Sequence, residues 1–321
     1  MNAHEIFGKL KVRDKLNLFS VLVAFAAIVG IQFLSLGYLQ FVVMYFISYS
    51  IFAASWDLLH SYSGQLSLGH ALPFGVGAFA TLVIALRMAY PLIVALILGS
   101  VLASVVGGLV MLSTIRLRPA YQGIAVFLFS QLLYYFTFFL YGEEGVYAST
   151  GSVSYGLNRY LTSSQTYWLG AILFLLSVSS IYALENSRIR IKLLAIRGDP
   201  VAAEATGIRV SYYKTLVSFV SCFFAGVGGA IYAAYTIQAG FLVFDVRNSF
   251  LPVAMAIIGG LGRLGGVIIG SALVTGLTTV LPIWFNVAIT YLVYGLAMFL
   301  VMRFFPEGLS GLLRKLWAVL I

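Results

Sequence analysis

The chain is poor in charge. Asp, Glu, Lys and Arg make up 9% of its 321 residues, and hydrophobic residues make up 61%. A soluble domain carries about 25% charged residues. With a mean hydropathy of +1.01, a water-soluble fold of this length would lack the polar surface it needs. Cysteine is almost absent. The single Cys222 excludes an intramolecular disulfide and gives no metal-ligand spacing. The three histidines, His4, His60 and His70, are far apart in sequence. No GxxxxGK[ST] phosphate loop occurs, so the chain does not bind ATP in that way. No stretch pairs a nucleophile with a base. These absences argue against an enzyme and against a cofactor held by this chain. No small-residue cleavage site follows the first apolar run, which reads as a retained span rather than a signal peptide.

What is present is a series of apolar runs at about 17–36, 39–59, 70–86, 91–114, 121–141, 166–184 and 214–237. Each is long enough, or nearly so, to cross a bilayer as a helix, which satisfies its own backbone hydrogen bonds in lipid. Residues 250–282 are too long for one helix and are interrupted by Gly259, Gly260, Gly262, Gly265 and Gly266. Two elements, a short one before the glycines and a longer one after, fit this stretch, and the first could be re-entrant. A last span covers 284–302. The expected fold class is all-α, a polytopic transmembrane helical bundle of 8–10 segments with a glycine-broken or re-entrant element. Residues 1–16 form a basic amphipathic lead, and 17–321 form a single transmembrane domain with a polar loop at 185–213.

The net charge of +9 is set by where the cations sit. Lys9, Lys11, Arg13 and Lys15 precede the first run, Arg116 and Arg118 follow the fourth, and Arg303, Arg314 and Lys315 lie near the end. Six more fall between Glu185 and Lys214. Basic clusters flanking apolar runs are a positive-inside signature, not a nucleic-acid footprint. This pattern predicts both termini on the cytoplasmic side of the plasma membrane, with 142–165 outside. Charges inside the runs are scarce, which argues against a proton- or ion-driven carrier.

Three motifs stand out. The first runs from Tyr62 to Ala78, where the polar Ser63, Gln65, Ser67 and His70, with Gly64 and Gly69, precede an apolar helix. These residues either shape a packed helix entry or aim backbone N–H groups at an anionic substrate. The second is the basic island Glu185–Lys214. Within it Pro200 suits a first helical turn, Asp199 a cap and Gly207 a stop, giving a short helix that carries Glu204. That helix can be a knob for a partner's groove or a loop resting on anionic lipid. The third is the glycine run around Gly259, Gly260 and Gly262, where Gly266 and Gly270 form a GxxxG contact face; helix packing and a gate-forming break are both open.

The stretches GQLSLGHALPFGVGAFA, AIRGDPVAAEATGIRVSYYK, SCFFAGVGGAIYA and AIIGGLGRLGGVIIGSAL occur in this order. Together they resemble the LivH/LivM permeases of ATP-binding cassette (ABC) importers for branched-chain amino acids, LivM more closely. The resemblance implies a second permease subunit, two cytoplasmic ATP-binding subunits and an extracytoplasmic substrate-binding protein as partners. It implies that Arg197, Asp199, Ala203, Glu204 and Gly207 belong to an ATPase-coupling element. In such a permease we expect Gly64, Gln65, Ser67, Gly69 and His70 to shape the pore-side helix entry, and the glycine break at 259–266, with Gly259, Gly260 and Gly262, to allow a bend at membrane depth. Related permeases carry urea or short amides. A stand-alone carrier or channel is the alternative from another class.

Overall fold

The computed structural model describes residues 19–33, 37–143, 145–147 and 163–286, and scattered positions from 289 to 311. The basic lead, most of the 142–165 loop and most of the last expected span lie outside them. The described chain is an all-α helical bundle. Its helices are α1 (Phe19–Phe33), α2 (Gly37–Ser63), α3 (Ala71–Leu82), α4 (Leu92–Ser113), α5 (Pro119–Tyr141), α6 (Ser163–Glu185), α7 (Arg188–Gly198), α8 (Pro200–Ala205), α9 (Val210–Thr236), α10 (Val246–Gly259) and α11 (Leu264–Trp284). A π-helical turn, Val83–Arg87, extends α3. Six of these helices, α2, α4, α5, α6, α9 and α11, are long and apolar enough to cross a membrane. The helices fall where the apolar runs predict them, and 250–282 is indeed two elements.

The chain forms two compact units, one of Ile47–Val253 and one of Met1–Phe46 with Ala254–Ile321. In the first, α3, α4 and α9 pack most densely against one another. Small residues allow this. A β-carbon on Gly229 of α9 would overlap the carbonyl oxygen of Phe74 in α3, and one on Gly77 would overlap the Gly226 carbonyl. The backbones therefore touch, as in small-residue contacts between membrane helices. Ser48 Oγ donates to the Gly228 carbonyl at 2.7 Å, and Ser221 Oγ to that of Ser55 at 2.7 Å, tying α2 to α9.

In the second unit, Gly266 and Gly270 of α11 lie where a β-carbon would meet the carbonyls of Gly259 and Met255. The GxxxG pair thus packs α11 onto the end of α10. Between the two helices Gly260 and Gly262 take left-handed φ values of 113° and 71°, which turn the chain. Arg263 Nη1 donates to Ser310 Oγ at 3.1 Å.

The re-entrant alternative extends beyond the stretch the sequence marked for it. Residues 238–249, which precede that stretch, re-enter the bundle. Strand β2 (Gln238–Ala239) pairs antiparallel with β1 (Val146–Tyr147) beyond the C-terminal end of α5. The chain then follows α5 back towards its start. The ring of Phe241 lies 5.2 Å from Phe138 and 5.0 Å from Tyr134. The Phe244 carbonyl accepts from Ser130 Oγ at 3.3 Å and Gln131 Nε2 at 3.4 Å, and Phe250 lies 6.4 Å from Phe127. Ser130 is the middle residue of the 23 in α5, about 16 Å from either end at 1.5 Å per residue. Helix α10 therefore begins at half the height of α5.

A test of the backbone contact follows. Gly229→Val should lower the stability of the detergent-solubilised protein by about 1–3 kcal/mol, the usual cost of overpacking, seen as a fall in Tm. Gly276→Ala, with nothing within 4 Å of its would-be β-carbon, should leave Tm unchanged or raise it.

Candidate functional site

The first motif forms a buried junction between α2, α3, α5 and α9. Gly64 leaves α2 with a left-handed φ of 70°. Gln65, 1% exposed, is surrounded by partners. Its Nε2 donates to Ser63 Oγ and to the Lys214 carbonyl, both at 3.1 Å. Its Oε1 accepts from Gln122 Nε2 at 3.0 Å and Ser218 Oγ at 3.2 Å. The Ser67 carbonyl accepts from Trp56 Nε1 at 2.7 Å. A β-carbon on Gly69 would overlap the Val126 carbonyl. His70, also 1% exposed, stacks on Phe52 and places Nε2 3.0 Å from Ser55 Oγ and 3.5 Å from Ser221 Oγ, with Nδ1 3.4 Å from Ser67 Oγ. The structure thus brings Gly64, Gln65, Ser67, Gly69 and His70 together. Their polar atoms engage neighbouring helices, a network in which each member rigidifies the others.

The island is folded as α7 and α8. The Asp199 carboxylate accepts from the backbone N–H of Val201 at 2.8 Å and Ala202 at 3.2 Å, capping α8. Gly207, at a φ of 85°, ends it. The Ala203 carbonyl accepts from the N–H of Ile208 at 3.1 Å and from that of Thr206 at 3.2 Å, and from Thr206 Oγ1 at 2.8 Å, so the end of the helix leaves it satisfied. Ala203 is buried against Ile196 and Val210, so it anchors α8. The outward surface is Val201, Ala202, Glu204 and Ala205, with Val201 77% exposed. The sequence pattern gave no sign of Val201 as the projecting apolar group, because only the packing of Ala203 shows which side faces out. Arg197, although exposed, reaches back to the end of α2. Its Nη1 donates to the Ser61 carbonyl, and its Cγ lies 3.2 Å from where a β-carbon on Gly64 would sit. The helical island and the polar junction therefore meet directly. Beside α8 a cleft of about 430 Å³ is lined by Lys192, Gly207, Arg209 and Tyr213.

Gly259, Gly260 and Gly262 lie in the other unit, at the turn from α10 to α11.

Two observations concern charge. Asp57 and Glu185 are buried by tertiary packing, each 2% exposed. Asp57 accepts from Ser61 Oγ at 2.5 Å, on the same helical turn whose carbonyl binds Arg197. Both carboxylates sit in the terminal part of their helices. The second is the start of α10, the re-entrant element that the sequence allowed for. It carries Asp245, half-exposed, and Arg247, exposed, at half the height of α5. Asn248 Nδ2 donates to the carbonyls of Leu242 at 3.0 Å and Val243 at 3.3 Å, and its Oδ1 accepts from Tyr49 OH at 3.1 Å. An arginine or aspartate at the centre of a lipid-facing helix costs about 2.5–3.5 kcal/mol on insertion scales. The signal available in the sequence was an apolar FLVF preceding the charges, too short to register as a span.

Comparisons with known proteins fit this geometry. The family described as branched-chain amino acid transport system / permease component matches residues 38–302. A probable branched-chain amino acid transport permease protein LivM of Methanocaldococcus jannaschii is 25% identical over 236 residues, 68% of this chain and 68% of its own length. A nucleoside ABC transporter permease protein NupC of Lactococcus lactis subsp. cremoris is 24% identical over 266 residues, 76% of this chain and 83% of its own. No solved structure gives a significant match. Matched over most of its length and folded as a polytopic helical bundle, the chain belongs to the permease family of the branched-chain amino acid transport system.

Proposed function

We propose that the chain is the permease subunit of an ABC importer that moves branched-chain, hydrophobic amino acids across the plasma membrane. In this reading two permease subunits form the pathway, two cytoplasmic ATP-binding subunits supply the energy, and an extracytoplasmic binding protein delivers the substrate. Both termini and α8 are then cytoplasmic. The observation that carries the reading is α8 itself. A six-residue helix capped by Asp199 and anchored by Ala203 holds an apolar side chain and a carboxylate outward from a chain with no phosphate loop of its own. Such a knob suits a groove on a soluble partner, with Val201 as its apolar anchor and Glu204 beside it. Movement of α8 would pass through Arg197 to Ser61 and Gly64, and so to the buried junction at Gln65. The likeness to a nucleoside permease supports a second reading, in which the cargo is a nucleoside and the coupling is the same.

Two outcomes test the coupling. Val201→Asp and Glu204→Lys should leave the protein folded in the membrane while weakening ATPase association at least tenfold, measured by copurification and by transport-linked hydrolysis. Full coupling in both variants would remove α8 from that role. The second test uses proteoliposomes. The assembled importer should accumulate labelled leucine only with ATP inside the ATPase compartment, and the lone subunit should not. Gradient-driven uptake by the lone subunit would establish a stand-alone carrier instead.

A further inference from the structure

We infer that the basic cleft beside α8, between α7 and the start of α9, is a binding site for the phosphate of an anionic membrane lipid. The inference needs α9 to cross the membrane and is independent of what α8 docks on.

Charge is the first argument. The cleft, about 430 Å³, is walled by Lys192 of α7, by the chain at Gly207 that ends α8, and by Arg209, Tyr212 and Tyr213. No carboxylate lines it. Lys192 Nζ donates to Tyr213 OH at 2.5 Å and lies 4.8 Å from the centre of the Tyr213 ring. A phenol is neutral, so it aims the ammonium without balancing its charge and leaves further N–H donors for a ligand. Arg209 is exposed, and its guanidinium has no hydrogen bond or counter-charge among the described residues. Arg209 also stands at the N-cap of α9 without a side-chain cap, so the open N–H groups of that first turn add to the same positive field. Two cations on one cleft, with no anion of the chain to meet them, suit an anionic ligand.

Position decides which anion. Helix α9 is long and apolar enough to cross a membrane and begins at Val210. The cleft is therefore at the level where a span enters the bilayer, among the lipid headgroups. Tyr212, on that first turn, is 59% exposed, an amphipathic ring at the depth where such rings are enriched. On α7, Leu193 and Ile196 are buried, whereas Ile191 and Leu194 are 71% and 39% exposed. Exposed apolar side chains interleaved with Arg188, Arg190 and Lys192 suit a helix lying at the boundary of headgroups and acyl chains. Basic pockets between membrane helices are sites for anionic headgroups. A free phosphate, or a carboxylate of a soluble partner, would use the charges and leave those apolar side chains without a partner.

The test adds lipids to the full chain in detergent and counts bound lipid by native mass spectrometry. Phosphatidylglycerol should bind at concentrations at least tenfold lower than phosphatidylcholine. Arg209→Gln, which breaks no side-chain bond among the described residues, should weaken phosphatidylglycerol binding about fivefold, the weight of one cation at a membrane surface. Lys192→Gln combined with Arg209→Gln should weaken it about 25-fold, and Lys192→Arg should retain it. Arg118→Gln, an equal loss of charge at another exposed position, should change it less than twofold. Millimolar inorganic phosphate should not displace the lipid. The inference is overturned if phosphatidylcholine binds as well as phosphatidylglycerol, or if the double variant loses no more affinity than Arg118→Gln. Displacement by inorganic phosphate would make the cleft a site for soluble anions and overturn it too. Loss of ATPase copurification in the double variant, with lipid binding intact, would give the cleft to the soluble partner instead. Glu204→Lys, which probes docking by α8, should not weaken lipid binding, so failure of the coupling reading and failure of this one are told apart.

Discussion

Backbone contact between α3 and α9 is the constraint on which the larger unit depends. In a bilayer, apolar side chains gain nothing by leaving lipid for protein, so helices associate through close packing and interhelical hydrogen bonds. Here the packing is extreme. Gly229 lies where Phe74 leaves no room for a β-carbon, and Gly77 and Gly226 face each other in the same way. Helix α9 is consequently one of the most enclosed spans, with 72% of its apolar window buried, and α2 reaches 83% beside it. Seryl bonds from Ser48 and Ser221 to opposing carbonyls then fix the register between these helices. Around so rigid a centre, two irregular segments can be held inside the bundle: 64–70 below α3 and 237–245 before α10. Irregular backbone at depth survives only where protein satisfies it, and here Trp56, Ser130, Gln131 and Asn248 donate the required hydrogen bonds.

Much of this was legible in the sequence because the signals were compositional. Apolar runs bounded by basic residues gave most helices to within a few residues. Asp199, Pro200 and Gly207 carried α8, since a cap, a first-turn proline and a left-handed stop are local chemistry that needs no tertiary partner. What could not be read was orientation and depth. Ala203 and Val201 look alike as small apolar residues of one short helix, yet Ala203 anchors and Val201 projects. The difference lies in Ile196 and Val210, which only folding brings near. Gln65 and Gln122 are 57 residues apart and meet in one hydrogen bond, a pairing without trace in local pattern. Glu185 reads as the start of a polar island, yet tertiary packing buries it, as it buries Asp57.

Asp245 and Arg247 are the most consequential case. A hydropathy argument places polar residues between two apolar runs outside the membrane. That holds when the connection stays at the surface. It fails when a short apolar segment, here Phe241–Phe244, packs against a neighbouring helix and draws the following charges inward. Aromatic contacts of Phe241 with Tyr134 and Phe138 and the hydrogen bonds to the Phe244 carbonyl accomplish this. None is predictable from the segment alone.

The outer surface of α5 shows why the charged start of α10 marks a face of its own. Tyr121, Leu128, Leu132, Tyr135 and Phe139 are 58–86% exposed and recur at spacings of three, four and seven, one continuous stripe of the helix. Only 22% of the apolar window of α5 is buried. Such a stripe is as comfortable against lipid as against a second subunit, and by itself it selects neither. Arg247 is not comfortable in both. Its charge is tolerated beside water, beside a counter-charge or beside a substrate that supplies one, and is penalised beside lipid.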